Sequence, residues 1–489
     1  MKDKKPFYIT TTLPYVNANP HIGFALEIIR ADAIARFKRL TGHDVFFNTG
    51  TDEHGSKILE KAEELGKKPQ EYVDEISENY RSLTKELNIS EHNFIRTTDE
   101  NHIKSAQEFW KKCKEAGYIE KKKYNGLYCV GCEMFVKEND LNDDGTCPDH
   151  PNKKPEMVEE ENYFFKLSNF EKELSDYYEK NPTFIIPESR LNEMKAMVKG
   201  GLEDFSISRL KEKLLWGVPV PDDDEQVMYV WFDALVNYIS TLGYPFDPTQ
   251  GKPDEENNFK KFWIEGETVQ VCGKDNTQHQ ALRWQAMLAS VGIPFTNHVL
   301  VNGFINSGGK KMSKSLGNVI DPIDIIEEYG VDALRYYVLR ELHPHEDSDF
   351  TIEKFREAYN ANLANGVGNL TNRIMKLAED HLDSPVDISE QKKFFPDFIE
   401  KFDKYDYSGA IGSLWLGIGM IDEIIQKEEP FKVIKEDVER GKEMIVKLVK
   451  HLAEVAYHLQ PFLPETAEKM FKAIEDNKKP EEPLFKRLD

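Results

Sequence analysis

The beginning of the chain alternates between apolar runs and the regular spacing of apolar positions that is typical of a helix. The segment FYITTTLPYVNANPHIG, residues 7–23, starts with an apolar run that predicts a strand and continues as a loop rich in proline and asparagine. From His21 to Leu40, apolar residues recur every three or four positions, which predicts a helix that ends near Gly42. The run DVFFNTGT, residues 44–51, predicts a second buried strand. A strand, a helix and a strand of these lengths indicate a right-handed crossover in a parallel sheet.

Polar residues gather where these two predicted strands end. Ligands of such sheets bind beyond the carboxyl ends of the strands, which makes these residues candidates for a site: Tyr15, His21, Asp52, Glu53 and His54. His21 and Gly23 also stand at a predicted helix start, where free backbone N–H groups and the helix dipole favour an anion. A capping histidine in a surface loop is the alternative interpretation of this short motif.

The strand-and-helix pattern returns further along the chain. The segments VMYVWFDALVNYI, residues 227–239, and TVQVCGKDNTQHQALRWQAML, residues 268–288, each predict a buried strand that leads into a helix. Trp231 and Tyr238 are expected on a pocket wall, whereas Phe232 is expected in the core. Together these segments predict an α/β fold.

Between the two α/β segments lies a pattern of metal ligands. Cys129 and Cys132 form one close pair, and after fourteen intervening residues Cys147 and His150 form a second. Three thiolates and one imidazole suit a tetrahedral zinc ion. Because all four positions are filled by protein, one structural zinc is expected; the alternative is a coincidence of cysteines in a loop.

Composition and charge narrow the class of protein. A chain of 489 residues is too long for one core and indicates three or so domains. The sequence shows neither a run of about 18 apolar residues nor a secretory signal, so no membrane partner is expected. An odd count of five cysteines favours a reducing compartment, and we expect the cytoplasm. The net charge of −23 argues against bulk attraction to nucleic acid, although a local basic groove remains compatible with it.

A lysine-rich loop needs a separate explanation. The segment GGKKMSKSLGNV, residues 308–319, follows the apolar run HVLVNGFI and mixes lysines with glycines and serines. Taken alone, it is typical of a solvated surface turn.

The order and spacing of several segments resemble one known family. The stretch TTLPYVNANPHIGFALEIIRADAIARFKRLTGHDVFFNTGTDEHG, followed by YVWFDALVNYI, CGKD and KMSKSLGNVIDP, resembles the methionyl-tRNA synthetases, which are class I aminoacyl-tRNA synthetases with a single zinc knuckle in one branch. The resemblance implies a Rossmann-like catalytic domain in two halves, an inserted connective-peptide domain with the zinc knuckle, a stem-contact region and an α-helical anticodon-binding bundle. The implied boundaries are 1–117 and 225–320 for the catalytic halves, 118–224 for the insertion, 321–355 for the stem-contact region and 356–489 for the bundle.

The resemblance also implies an activity and a set of functional residues. The implied reaction attaches methionine to tRNA(Met) with ATP and Mg²⁺, through a methionyl-adenylate, and releases AMP and diphosphate. His21, Lys311 and Lys314 are the implied catalytic residues, because a lysine on a glycine-hinged loop can meet charge that develops on the pyrophosphate. ATP would be bound by His21, Gly23, Glu27, Gly273, Asp275, Lys311 and Lys314; methionine by Leu13, Tyr15, Asp52, Trp231, Ala234, Tyr238 and Gln280; and the anticodon by Asn369, Arg373 and Phe431.

Three positions depart from the family pattern. Phe24 stands where the second histidine of the HIGH signature is usual, which puts one transition-state donor in doubt. Gln280, beside His279, stands where a pocket histidine is common. Phe431 replaces a stacking tryptophan and offers a smaller face for a base.

Two other functions were weighed against this hypothesis. A class I synthetase for leucine, isoleucine or valine usually has a much larger editing insertion than the roughly hundred residues that separate the α/β halves here. A tRNA-binding paralogue without chemistry is suggested by Phe24, but Asp52, Lys311 and Lys314 are intact. The end of the sequence shows no appended β-rich domain, so a monomer is expected.

Overall fold

The computed structural model describes residues 4–129, 134–136, 138, 141–148, 153–245, 257–312 and 318–488. The chain forms two compact units. The first contains Met1–Asn19, Asp44–Ser82 and Glu91–Val301, and the second contains Pro20–His43, Leu83–Ser90 and Asn302–Asp489.

The strands are distributed over both units. In chain order they are Phe7–Thr11 (β1), Val45–Thr51 (β2), Asn93–Arg96 (β3), Ile119–Cys129 (β4), Met134–Val136 (β5), Glu156–Phe165 (β6), Ile185–Ile186 (β7), Phe205–Ser206 (β8), Ser208–Leu210 (β9), Gln226–Met228 (β10), Glu267–Gly273 (β11), His298–Asn302 (β12), Ile305–Ser307 (β13), Lys310–Lys311 (β14) and Ser348–Phe350 (β15).

The α-helices dominate the second half of the chain. They are Ile22–Leu40 (α1), Ser56–Glu64 (α2), Pro69–Glu86 (α3), Glu100–Glu115 (α4), Glu171–Lys180 (α5), Glu188–Gly200 (α6), Val230–Ser240 (α7), Trp284–Ser290 (α8), Pro322–Tyr329 (α9), Val331–Tyr336 (α10), Ile352–Ala358 (α11), Asn369–His381 (α12), Pro396–Asp403 (α13), Tyr407–Glu428 (α14), Pro430–Glu436 (α15), Val438–Leu459 (α16) and Pro464–Glu475 (α17).

A six-stranded sheet, in the order β3-β2-β1-β11-β12-β7, is the main sheet of the fold. β1 pairs in parallel with both β2 and β11, and β2 pairs in parallel with β3. All five residues of β1 are buried, as expected for a central strand whose two faces are covered. The predicted α/β class is therefore confirmed, together with the predicted strand, helix and strand at its start.

The segment predicted to be an insertion is divided in the structure. β4, β5, β6 and β8 form an antiparallel sheet of their own in the order β5-β4-β6-β8. β7 lies within the same segment but pairs in parallel with β12, at the edge of the main sheet. Its two isoleucines are apolar enough for a buried edge, but a two-residue strand is too short to produce a sequence period.

One predicted strand does not join the main sheet. β10, which precedes α7, pairs with β9 in a separate antiparallel ribbon. The predicted buried strand that leads into a helix is present in both segments, but only β11 belongs to the main parallel sheet. An apolar run of this length cannot by itself distinguish a sheet strand from a short ribbon.

The second unit is held together by buried charge as well as by apolar packing. Asp32 on α1 and Arg335 on α10 are both fully buried, with Nη2 and Oδ2 2.7 Å apart, and Arg36 also contacts Asp32 at 2.7 Å. Burial alone would raise the pKa of Asp32, but Arg335 and Arg36 hold it below its ordinary value. Phe37 stacks on Phe402 with 4.1 Å between ring centroids.

Candidate active site

The ends of β1 and β2 bring the predicted ammonium-binding residues together. Tyr15 and Asp52 form a parallel backbone bridge, in which Val16 N–H donates to Asp52 O at 3.1 Å and Asp52 N–H donates to Pro14 O at 2.9 Å. Asp52 is 5% exposed and Leu13 is buried. The backbone of Asp52 therefore pairs with the 13–16 loop, and its buried side chain follows the end of β2, where ligands of parallel sheets bind.

The predicted pocket wall lies on α7. Trp231, Ala234 and Tyr238 are three and four residues apart, so their side chains project from one helix face. Ala234 and Tyr238 are buried, and Trp231 is half-buried. The helix begins directly after Tyr229, so Trp231 and Ala234 belong to its first turns.

Gln280 connects this helix to a buried network of amides. Its Nε2 donates to the hydroxyl of Tyr238, and its Oε1 accepts from Gln270 Nε2 at 2.7 Å. Thr296 Oγ1 donates to Gln270 Oε1 at 2.6 Å, and Gln285 Nε2 donates to the backbone oxygen of Gln280 at 2.8 Å. Because an amide both donates and accepts, glutamine completes this bridge between strand and helix.

His279 also lies at the pocket, where the sequence placed it only as the neighbour of Gln280. Its ring stacks on Trp231 with 3.6 Å between centroids and 11° between planes, and Arg283 Nη1 lies 2.9 Å from its Nδ1. Burial, followed by the charge of Arg283, lowers the pKa of His279 well below its ordinary value. A neutral aromatic pair therefore stands at the start of α7.

Glu53 and His54 are fixed by partners that the sequence did not reveal. The carboxylate of Glu53 is fully buried and accepts two hydrogen bonds from Arg96, at 2.7 and 2.9 Å. His54 Nδ1 lies 2.8 Å from Asp233 Oδ2, with both side chains buried. Asp233 and Arg96 gave no sequence signal beyond their charge, because their partners are far away along the chain.

The start of α1 in the second unit differs from the expected anion site. Ile22 N–H donates to Ile320 O, Gly23 N–H donates to His21 Nδ1 at 3.0 Å, and Phe24 N–H donates to His21 O. The expectation of free first-turn N–H groups is therefore wrong for these three amides. Since His21 Nδ1 accepts, the neutral ring has its proton on Nε2, and the exposed side chain can donate from that atom.

Gly23 has a steric role in this arrangement. A Cβ at Gly23 would lie 2.7 Å from Cε1 of His21. Any side chain there would displace the histidine ring, so glycine permits the capping geometry of His21.

The remaining predicted nucleotide-binding residues are divided between the units. In the first unit, Gly273 is the last residue of β11 and Asp275 is exposed in the short 3₁₀ turn Lys274–Asn276. In the second unit, Glu27 is a half-buried residue of α1, and the backbone of Lys311 pairs in the β13–β14 hairpin. Lys314 lies outside the described residues.

The lysine-rich segment begins as a hairpin. Gly308 and Gly309 form its turn with φ of 61° and 74°, in the left-handed region that glycine adopts without strain. The turn that is expected from the sequence is thus present, and the hairpin strand β14 leads into the segment that contains Lys314.

The predicted anticodon residues lie on the helical part of the second unit. Asn369 and Arg373 are one helical turn apart on α12, as their i, i+4 spacing predicts. Asn369 is exposed, whereas Arg373 forms an ion pair with Asp422 of α14. Phe431 is 39% exposed on α15, which begins two residues after the end of α14.

Two of the four predicted zinc ligands are described. Cys129 ends β4 and Cys147 follows the turn around Gly145, and both thiols are buried, at 0% and 1% exposure. Cys132 and His150 lie outside the described residues, and the described residues alone contain no group of three metal-ligating side chains. Two buried cysteines at hairpin turns suit a thiolate-rich ligand set.

The chain was compared with known protein families and proteins. Residues 7–153 and 150–375 match the family model that is described as "tRNA synthetases class I (M)". The methionine–tRNA ligase of Thermotoga maritima is 40% identical over 519 residues, which cover 99% of this chain and 80% of that protein. The methionine–tRNA ligase of a Nostoc species is 38% identical over 493 residues, which cover 97% of this chain and 90% of that protein.

A solved structure agrees with the sequence comparisons. The Mycobacterium tuberculosis methionyl-tRNA synthetase in complex with methionyl-adenylate superposes with a TM-score of 0.86 at 35% identity, covering 96% of this chain and 93% of that one. Because the similarity covers 96% of this chain, it extends over both units. This chain belongs to the methionine branch of the class I tRNA synthetases.

Proposed function

We propose that the pocket formed by Leu13, Tyr15, Asp52, the α7 face and Gln280 binds methionine in a member of this family, which attaches methionine to tRNA through a methionyl-adenylate. The observation that supports this assignment most directly is the position of Asp52. Its backbone pairs with the 13–16 loop, and its side chain is buried at the end of β2. A buried carboxylate suits a primary ammonium group, and the aromatic residues of α7 suit a thioether.

The proposed chemistry needs positioning and charge stabilisation rather than a protein nucleophile. The methionine carboxylate attacks the α-phosphorus of ATP, and the bond to the leaving pyrophosphate breaks. His21 Nε2–H, Lys311 and Lys314 donate to the phosphate oxygens on which negative charge develops. Mg²⁺ bound with ATP would supply additional neutralisation of the phosphates. The methionyl group then passes to the terminal ribose of the tRNA.

Three further residues are proposed to bind ATP. Gly273 and Asp275 follow β11, and Glu27 lies on α1, near the capping histidine in the sequence. Gly273 lets the backbone approach a ligand closely, and Asp275 is an exposed acceptor for a hydroxyl group.

The zinc site is part of the same proposal. Cys129, Cys132, Cys147 and His150 would bind one zinc ion, which stabilises the hairpins of the insertion at 118–224. The proposed catalytic halves at 1–117 and 225–320, the stem-contact region at 321–355 and the bundle at 356–489 complete the domain assignment.

The proposed nucleic-acid partner is tRNA(Met), whose anticodon would be read by the bundle. Asn369 is exposed and would form hydrogen bonds to the edge of a base, and Phe431 is exposed and would stack on a base. Arg373, which pairs with Asp422, would also donate to a base or a phosphate. Single-stranded loops are read by this combination of stacking and edge hydrogen bonds.

A monomer in the cytoplasm is proposed. One stretch of the described residues, 407–436, has the length and apolar composition of a membrane span. Many of its apolar side chains are buried in the helical bundle, among them Ile411, Leu414 and Ile418, so we interpret it as a core helix.

Methionine-dependent exchange between pyrophosphate and ATP tests the proposed site. The parent should exchange with methionine and not with leucine, isoleucine or valine, and Asp52→Asn should raise the KM for methionine about tenfold or more while the KM for ATP stays nearly constant. Exchange that depends equally on isoleucine, or an unchanged methionine KM in Asp52→Asn, would contradict the assignment.

A further inference from the structure

The polar link between His54 and Asp233 is buried and spans a long stretch of chain. Nδ1 of His54 and Oδ2 of Asp233 are 2.8 Å apart across 179 residues of sequence. Asp233 is 0% exposed and His54 is 4% exposed. Burial raises the pKa of Asp233, and the neighbouring His54 opposes that effect. A fully buried acidic side chain needs a partner, because the burial of an unpaired carboxylate lowers the free energy of unfolding.

Both residues are adjacent in sequence to the proposed methionine pocket. His54 comes two residues after Asp52, and Asp233 lies between Trp231 and Ala234 in the first turns of α7. The link therefore joins the loop with the ammonium-binding carboxylate to the helix with the side-chain wall.

The segment that contains His54 is held on its other sides as well. Trp216 Nε1 donates to Glu53 O at 2.6 Å, and Gly55 N–H donates to Trp216 O at 3.1 Å. Arg96 holds the Glu53 carboxylate. The loop is thus a fixed support, from which His54 can set the position of α7.

Other polar links between the sheet and α7 lie further from its start. Tyr8 Oη donates to Tyr238 O at 2.9 Å, and Thr241 Oγ1 donates to Asn48 Oδ1 at 2.8 Å. Eight residues separate Thr241 from Asp233, which is about 12 Å along a helix. His102 on α4 contacts Ser240 Oγ at 2.8 Å but also interacts with His54 and the backbone of Asp233, so it belongs to the same buried cluster as the link.

We propose that His54 and Asp233 are positioning residues that fix the distance between the Asp52 carboxylate and the first turns of α7, and thereby set the affinity for methionine. This inference rests on the proposed function of the pocket. A shift of the start of α7 would move Trp231 and Ala234 relative to Asp52. The pocket could then no longer bind the ammonium group and the side chain of methionine at the same time. Neither residue is among those proposed to bind ATP.

The test compares kinetic constants of four variants in methionine-dependent pyrophosphate exchange. His54→Leu and Asp233→Leu remove the link, whereas His54→Asn keeps an N–H donor near the position of Nδ1. Thr241→Val is the control, since it removes the hydrogen bond to Asn48 at the far end of α7. His54→Leu and Asp233→Leu should raise the methionine KM about tenfold or more, with the ATP KM within about threefold of the parent.

The controls separate positioning from general stability. His54→Asn should recover most of the methionine affinity, and Thr241→Val should lower thermal stability while the methionine KM stays within about threefold. If His54→Leu leaves the methionine KM unchanged, or if Thr241→Val changes it equally, the inference is wrong. Should the leucine variants fail to fold, Asp233→Asn decides the question, because it removes the charge of the link at nearly constant volume: it should raise the methionine KM while the ATP KM stays within about threefold, and an unchanged methionine KM would overturn the inference.

Failure of the inference can be told apart from failure of the proposed pocket. If Asp52→Asn raises the methionine KM and His54→Leu does not, only the positioning role is wrong. If neither substitution changes it, methionine binds elsewhere and both assignments are wrong.

Discussion

The side-chain amide of Gln280 donates a hydrogen bond to the hydroxyl oxygen of Tyr238, and both side chains are buried. The other end of the amide accepts from Gln270 at 2.7 Å, so the pocket wall on α7 is tied to β11 through one residue. The glutamine thus provides both a polar partner for Tyr238 and a bond to the sheet.

Replacement of this amide should weaken methionine binding. Gln280→Leu leaves Tyr238 and Gln270 without their shared partner, at a cost of about 1–3 kcal/mol, and should raise the methionine KM about 5- to 150-fold. Gln107→Leu is the control, because Gln107 donates to Pro219 O at an exposed position of the same unit. Pyrophosphate exchange at varied methionine measures both, and an unaltered KM in Gln280→Leu would contradict a role in the pocket.

The second lysine of the KMSKS segment, Lys314, should act on the chemical step. Lys314→Ala should lower the rate of adenylate formation about 10²- to 10³-fold, or about 3–4 kcal/mol, with little change in methionine affinity. Lys310→Ala, at an exposed position of β14, removes an equal charge nearby and should remain within about threefold of the parent. Single-turnover adenylate formation is the measurement, and a Lys314→Ala rate within threefold of the parent would refute the role.

The zinc prediction is tested by metal content. The parent should purify with one zinc per chain, and Cys147→Ser should lose most of it, because the remaining ligands bind far more weakly. Cys113→Ser is the matched control, since Cys113 is a buried thiol that contacts Ser290 instead. Elemental analysis gives the answer, and full zinc in Cys147→Ser or none in the parent would exclude this ligand set.

The anticodon prediction separates tRNA charging from adenylate formation. Phe431→Ala removes a stack of about 1–3 kcal/mol and should weaken aminoacylation about 5- to 150-fold, as should Arg373→Ala. Phe395→Ala, which removes another exposed phenylalanine of the same unit, should leave charging nearly unchanged. Aminoacylation is compared with pyrophosphate exchange without tRNA. Equal losses in both assays would indicate unfolding, and unaffected charging would place the anticodon site elsewhere.

The stability of the first unit should fall with acidity through His102. Burial, followed by the nearby His54, lowers the pKa of His102 to about 3. In the unfolded chain histidine titrates near its ordinary pKa of about 6.5, so below that pH the unfolded state binds a proton that the folded state does not. The free energy of unfolding that depends on neutral His102 is therefore lost progressively as the pH falls from about 6.5 towards 3.

The magnitude of that effect follows from the size of the pH step. Between pH 7 and pH 5, His102 should lower the free energy of unfolding by about 2 kcal/mol. His102→Asn should abolish this pH dependence while it keeps a hydrogen-bond partner for Ser240. Denaturant unfolding of parent and variant at both pH values measures the difference. An identical pH dependence of the two proteins would show that His102 is not the responsible group.

The sequence alone determined the local elements and the family. The helix over α1 and the strand β2 follow from apolar spacing, and Gly42, with φ of 85°, ends the helix region as predicted. The Asn369 and Arg373 pair lies on one helix, as its spacing required. These features depend on residues that lie within one or two helical turns of each other. The spacing of apolar residues, or a short motif, is therefore enough to predict them.

Only the tertiary structure decided which distant residues became partners. His54 contacts Asp233, and Gln270 forms hydrogen bonds with Gln280 and Thr296. Ile185 and Ile186 pair with β12 and not with the sheet of the insertion. The first-turn amides of α1 also met acceptors that the sequence left open. A buried polar group must be paired, but many polar residues along the chain could satisfy it, so the choice belongs to the packing of elements that lie far apart in sequence.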